Sequence, residues 1–368
     1  MALPVAVGAY EFSEDLEATT ALRVIVQHGE YANAVDGDGK SLDDKTKGAG
    51  VLDLSVDYQP TPRDQLYAWA RFARGNALND VGGIFSEPYG DPLEDETTNI
   101  NRSGRDHVLE AWYRHGFVLD EGKDLAIAGG LFESSEFVSE NEYASDTDNQ
   151  FMHEVFGYDG TDVFPAYDPG ITLELEAERW SASAIYMRAR NEQRRHYDYF
   201  GGRVAYQTET ALGEGHYGLF AIITSPAFPN ADSTRENERL RGGGISFDQA
   251  FGEILGGFVR VFYMDDNAVT DYDQMYSLGL NIDGRLWGRP QDNAGIGYAY
   301  LHGPKGSEAR RSHVAEAYVR FQLTPYLDLS LDLQFEGDKL RPEGDGGEAQ
   351  PPDNPRAWIP GIRASMVF

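Results

Sequence analysis

The 368-residue chain carries 61 acidic against 31 basic side chains, a formal net charge of −30, which argues against a nucleic-acid partner because phosphate neutralisation needs Lys and Arg. With no Cys, disulfides, thiolate catalysis and thiolate metal sites are excluded. No run of about 18 apolar residues exists, so membrane-spanning helices are excluded too; a membrane barrel is not, because its alternating strands average out as hydrophilic. The 21 Tyr and 41 Gly, with few long amphipathic helical patterns, point instead to one large all-β domain spanning 1–368.

Met1–Tyr10 lacks the basic start and apolar core of a secretory signal, so an exported protein is expected here in its mature form. From there, strict alternation of apolar and polar residues recurs along the chain. Leu52, Leu54, Val56 and Tyr58 alternate with Asp53, Ser55 and Asp57; Ile171, Leu173 and Leu175 with Thr172 and Glu174; Tyr276, Leu278, Leu280 and Ile282 with Ser277, Gly279 and Asn281. Leu327, Leu329, Leu331, Leu333 and Phe335 alternate with Asp328, Ser330, Asp332 and Gln334. Strands are expected near Ala18–Gln27, Val51–Tyr58, Gln65–Arg74, His107–Phe117, Leu125–Leu131, Ile171–Ala177, Trp180–Ala189 and Tyr199–Thr208. They continue near His216–Ile223, Leu240–Asp248, Ile254–Tyr263, Gln274–Ile282, Ala294–Leu301, His313–Leu323, Leu327–Phe335 and Ala357–Phe368. In Trp180–Ala189, Ile185 and Met187 compete with Ala184 and Tyr186 for the outer face.

Short connections such as Gln59–Asp64, Asp120–Lys123 and Thr324–Tyr326 take turns with long polar ones: His28–Gly48, Gly75–Arg105, Phe132–Pro169, Arg190–Tyr197, Thr224–Glu238, Asp265–Asp273, His302–Arg311 and Gly337–Arg356. One end is trimmed and the other elaborated. That asymmetry predicts a transmembrane antiparallel β-barrel of about 16 strands, with short periplasmic turns and long extracellular loops. The last strand closes it, with Ile362, Ala364, Met366 and Phe368 toward lipid and Arg363 and Ser365 inward; Pro360 is expected to disturb the ladder. A terminal strand carrying Phe368 resembles the signal that outer-membrane assembly machinery reads.

The alternate face lines the interior. Arg71 beside Trp69, then Glu110, Trp112 and Arg114, then Arg203, Arg260, Glu316, Tyr318, Arg320 and Arg363 are expected inward. Charges of both signs among aromatic rings suit a polyhydroxylated solute, because hydroxyls bond Arg and Glu while a sugar's C–H face packs on Trp or Tyr; the competing reading is that they brace the wall as ion pairs. The 132–169 connection is long enough to imply a purpose; its position resembles that of the third outer loop of general porins, which implies a constriction folded into the barrel, and its acids Glu133, Glu136, Glu140, Asp146 and Asp148 could face basic wall residues across the channel. Asp146 and Asp148 could instead bind Ca²⁺, although no recognised calcium loop is present.

The run GLFESSEFVSENEYASDTDNQFM, Gly130–Met152, resembles the segment after the fifth strand of the OprB-type carbohydrate-selective porins. AEAYVRFQLTPYLDLSLDLQF, Ala315–Phe335, and the ending PRAWIPGIRASMVF, Pro355–Phe368, are similar to that family as well. The resemblance implies a sixteen-stranded pore for passive diffusion of sugars across the outer membrane of a Gram-negative bacterium. Small sugar solutes, the lipid bilayer and lipopolysaccharide would be its partners, as monomer or homotrimer, with no cofactor. The acidic balance and the long Gly75–Arg105 loop depart from the pattern. An enzyme is disfavoured: there is no GxSxG and no HExxH, and same-face acids such as Glu174 and Glu176 are more often wet than a glycosidase pair. His115, His216 and His313 lie on strands, as girdle or lining residues. The alternative cargo readings are a cation-selective pore or an acidic polysaccharide exporter; a soluble acidic β-protein is a further rival.

Overall fold

Apolar and polar residues that alternate in sequence point to opposite sides of one closed wall. The structure is a computed structural model that describes residues 10–13, 15–36, 38–157, 163–191, 195–230, 237–341 and 354–368. Residues 1–9, and parts of the connections expected at 132–169, 190–197, 224–238 and 337–356, lie outside them. The strands are β1 (Tyr10–Ser13), β2 (Leu16–Ala32), β3 (Lys45–Thr61), β4 (Asp64–Arg74), β5 (Val108–Asp120), β6 (Lys123–Glu133), β7 (Ala166–Ala177), β8 (Trp180–Arg190) and β9 (His196–Glu209). They continue as β10 (Glu214–Thr224), β11 (Arg241–Phe251), β12 (Leu255–Met264), β13 (Gln274–Asp283), β14 (Asn293–His302), β15 (Ala309–Thr324), β16 (Leu327–Leu340) and β17 (Arg356–Val367).

From β2 onward each strand pairs antiparallel with the next. β17 returns to β2, with Met366 opposite Leu22 and Gly361 opposite Gln27, so β2 to β17 form a closed barrel with no free edge. The short β1 folds back on β2, Tyr10 opposite Ala18, just past the place where Phe368 exchanges backbone bonds with Thr20. It thus prolongs the row that β17 leaves. At Pro360 the β17–β2 ladder skips Ile359 and Pro360 and resumes in the same register at Gly361, whereas the β16 side is paired throughout. Proline has no N–H to give.

Several strands outrun their expected ends: β2 reaches Ala32 and β3 begins at Lys45, so the connection expected at His28–Gly48 shrinks to 33–44. Beyond the membrane both faces are wet and the alternation fades, but the hydrogen-bond ladder needs no apolar face to continue. Leu22, Val24, Leu54, Val56, Ile127, Leu173, Val204, Leu219, Val259, Leu278, Ile296, Leu331 and Ile362 form an exposed outer belt. Aromatic girdles bound it: Tyr58, Tyr113, Phe117, Trp180 and Phe251 near the short turns, Phe72, Phe200, Tyr263, Tyr276 and Trp358 near the long loops. An apolar band between two aromatic girdles is the surface of a transmembrane barrel.

In β8 the outer face belongs to Ala184 and Tyr186, and Ile185 and Met187 are buried inside. The reason lies in the interior, which holds an apolar core of its own: Phe132, Val138, Phe151, Val155 and Phe156 pack with wall residues including Ile185, Met187, Phe220, Phe258 and Phe262. An inner face covered by protein can be apolar without contacting lipid.

Candidate solute path through the barrel

Two connections lie against the inner wall, and irregular backbone there needs donors and acceptors for its peptide groups. The first, 75–107, contains α1 (Glu94–Thr97). Gln27 and Gln334 both donate to the Pro88 carbonyl, at 2.9 and 3.0 Å, and Glu336 accepts the Phe85 and Ser86 N–H groups at 3.1 and 3.0 Å. Arg71 reaches the Pro92 carbonyl at 3.2 Å and Asp91 at 2.5 Å. This loop was expected outside the barrel. Its buried Tyr89 and Leu93, packed with Ile25, Val51 and Met152, hold it inside.

The second, 134–165, contains α2 (Ser135–Val138) and α3 (Glu154–Gly157). Arg363 donates to the carbonyls of Thr147 and Gln150, and Arg260 to those of Val155 and Phe156, both at 2.9 Å. Glu316 accepts the N–H groups of Met152 and His153 at 2.5 and 3.1 Å, and Arg203 pairs with Glu140 at 2.9 Å. The two loops also hold each other, through Gly90 N–H to the Met152 carbonyl (2.8 Å) and Glu154 N–H to the Glu87 carbonyl (3.2 Å).

All the wall residues expected inward do point inward, yet six of them are covered. Arg71, Arg260 and Arg363 are 1% exposed, and Glu110, Glu316 and Tyr318 are buried as well. As lining that touches a passing solute these six are corrected: the loops lie over them. Guanidinium N–H groups of Arg71, Arg260 and Arg363 satisfy loop carbonyls that would otherwise go unpaired inside the barrel, and the Tyr318 ring packs edge-on against Phe151 at 5.0 Å. Trp112, Arg114, Arg203 and Arg320 keep partial exposure, Arg320 in a pair with Asp328 at 2.8 Å. Of the loop acids, Glu136 is exposed, Glu140, Asp146 and Asp148 are half-buried, and Glu133 is buried.

The calcium reading of Asp146 and Asp148 does not fit their partners. Asp146 accepts the N–H groups of Asp148 and Asn149 at 3.0 and 2.9 Å and the Asn149 amide at 2.9 Å, a local turn, while Asp148 pairs with Arg23. Arg23 leads to a group the sequence reading passed over. It also pairs with Asp53, which accepts Arg71 Nε at 2.6 Å and Trp69 Nε1 at 2.8 Å, so one chain of charges, Asp148–Arg23–Asp53–Arg71–Asp91, ties both loops to the wall. Arg23 alternates with Leu22 and Val24, and that period-two signal could have found it.

What stays open beside the second loop is an aromatic strip with charged flanks. Tyr67 stacks on Trp112 (5.1 Å, 29°) and Trp112 on Phe132 (6.4 Å, 17°). Arg114 pairs with Glu174 at 3.1 Å, so that acid is engaged as an ion pair. Burial pulls the His153 imidazole down to about 4 against the opposing pull of Glu316 and Asp338. A ring held neutral in this way lends stability above its ordinary 6.5 that is lost as pH falls toward 4. His216 bonds the inner-face Asp248 at 2.7 Å, whereas His115 and His313 sit outside among girdle rings.

The fold and the chain have relatives. A curated protein of Aquifex aeolicus (strain VF5), described as uncharacterized, is 28% identical over 269 residues, 72% of this chain and 75% of its own. The high-pH structure of Pseudomonas putida OprB superposes with a TM-score of 0.73 at 13% identity, covering 96% of this chain and 94% of that one. An anion-selective porin from Comamonas acidovorans gives 0.53 at 13% identity, covering 96% and 99%. The sequence matches the model described as "Carbohydrate-selective porin, OprB family" over residues 95–343. A pore-forming barrel that crosses the Gram-negative outer membrane and passes solutes passively, the chain belongs to the OprB family of carbohydrate-selective porins.

Proposed function

We infer that sugars cross this barrel along the Tyr67–Trp112 strip, with Arg114, Glu174, Arg203 and Glu140 as polar contacts and the 134–165 loop as the constriction. The observation that carries the reading is the partly exposed Trp112 indole, which stacks on Tyr67 and lies nearly parallel to Phe132, with Arg114, paired with Glu174, on the same strand face. A pyranose offers an apolar C–H face to such a strip and hydroxyls to both charges at its side. In the same reading the barrel works as a monomer or homotrimer, its long loops toward the lipopolysaccharide leaflet, without a cofactor and without chemistry.

Liposome swelling with mono- and disaccharides tests this. Trp112→Ala and Arg114→Ala are expected to slow disaccharide entry more than monosaccharide entry, because the longer solute uses more of the strip. Unchanged rates in both variants remove these residues from the path. A second reading, a cation-selective pore, draws on the exposed carboxylates Glu136 and Glu176 beside Glu140 and Glu174. Such a cluster concentrates cations at low salt. A mild cation preference in the reversal potential, diminished in Glu136→Gln, is expected together with sugar block; strong cation selectivity without any block would overturn the sugar path.

A further inference from the structure

We propose that Glu110, Glu133 and Glu136 form a calcium site that fastens the start of the 134–165 loop to the barrel wall. Glu110 stands on the inner face of β5, Glu133 ends β6, and Glu136 lies in α2. One carboxylate oxygen from each lies within 4.8 Å of the others. Oxygens binding a single Ca²⁺ at about 2.4 Å can be at most about 4.8 Å apart, so the three can share one ion. Among the described residues no Arg or Lys forms an ion pair with any of them.

Of the three, Glu110 is the one with a buried oxygen left without a partner. The residue is 3% exposed; one oxygen accepts Trp112 Nε1 at 3.1 Å, and the other, Oε1, has no hydrogen-bond donor. A buried carboxylate oxygen with neither donor nor counter-ion is costly, and a hard cation is the partner its chemistry takes. Glu133 is already oriented: Ser135 Oγ donates to one oxygen at 2.7 Å and Tyr167 Oη to the other at 3.1 Å. Supporting bonds of this kind fix a metal-binding carboxylate. The exposed Glu136 leaves a wet side for the water ligands that Ca²⁺ keeps. Bound there, the ion would cancel the charge nearest Trp112 and join β5, β6 and α2 at the root of the loop.

Trp112 makes the site readable by spectroscopy whether or not sugar passes it. Purified barrel in detergent, stripped with EDTA and held at pH 7.5, is titrated with Tb³⁺ under tryptophan excitation, with Ca²⁺ as competitor. One saturable, Ca²⁺-displaceable sensitised emission per chain is expected. Its affinity should fall about tenfold or more in Glu110→Gln and in Glu136→Gln, and stay unchanged in Asp146→Asn. Heat-modifiable migration on gels verifies that each variant is a folded barrel, and the exposed Glu136 position keeps the test decisive if Glu110→Gln does not fold. Absence of a saturable signal, as when the three carboxyls are held together by shared protons, overturns the site; so does a signal that both variants leave intact.

Discussion

Arg71→Gln is expected to raise conductance and disaccharide flux, the opposite of what removing a solute contact does. Arg71 is buried on the inner face of β4 and spans from Asp53 on the wall to Asp91 and the Pro92 carbonyl in the 75–107 loop. Taking one partner out of a buried ion network costs about 3–5 kcal/mol, chiefly because the charges left behind are uncompensated. Here Asp53, Asp91 and Asp148 would be left with Arg23 alone. Burial already pushes the Asp91 carboxyl up to about 6 against the pull of Arg71, so without the guanidinium Asp91 is left buried without its counter-ion and the loop loses its ionic tie to the wall, keeping the contacts of Pro88, Tyr89 and Leu93. The 75–107 loop also clasps the second loop through Gly90 and Met152, so both should loosen together. Single-channel recording and swelling assays read the change. An Arg71→Gln barrel with lower sugar flux at unchanged conductance would make Arg71 a solute contact after all. Pairing the substitution with Asp91→Asn gives a second check: residues in one network couple by about 0.5–3 kcal/mol, whereas independent roles would add.

Arg71 also marks the limit of what the sequence could tell. Period-two alternation is a local property, so it identified the sixteen wall strands and the side to which Arg71, Glu110, Arg260, Glu316 and Arg363 point. What covers a face is not local. The contacts that bury these residues come from Pro92, Thr147, Met152 and Val155, far along the chain and in segments with no period of their own. The same gap explains β8, where Ile185 and Met187 looked like lipid-facing candidates until Phe132 at the end of β6 and the loop's Val138 supplied an apolar interior. It explains the 75–107 loop as well. That segment is polar enough to read as external, but Tyr89 and Leu93 bury themselves completely. Arg23 and Asp53 were legible by the same parity, but that they pair with Asp148 and Arg71 is again not a local property.

Gly297→Val is expected to unseat the 134–165 loop by shape alone, leaving every charge in place. Gly295 and Gly297 alternate on the inner face of β14 and form a bare strip of backbone. A Cβ at 297 would stand 2.7 Å from Phe156 Cε1 and 3.1 Å from Phe151 Cε1, and one at 295 would stand 2.3 Å from Tyr318 Cε1. Those rings form the apolar hold of the loop: Phe151 tilts on Phe156 at 4.7 Å and meets Phe258 edge-on at 5.9 Å. Re-exposing a buried aromatic forfeits about 1.5–3 kcal/mol, and each ring pair adds about 0.5–1.5 kcal/mol. Overpacking the seat costs a further 1–3 kcal/mol or so, more than one loop hydrogen bond returns at about 1 kcal/mol. Valine itself suits a strand, so the barrel should still close and show heat-modifiable migration. Ile296→Val, one residue away on the exposed outer face, is the control for the strand. Larger and noisier single-channel conductance in Gly297→Val, with the control unchanged, would place the loop's hold in these rings; a Gly297→Val channel indistinguishable from wild type would mean that the charged contacts hold the loop without them.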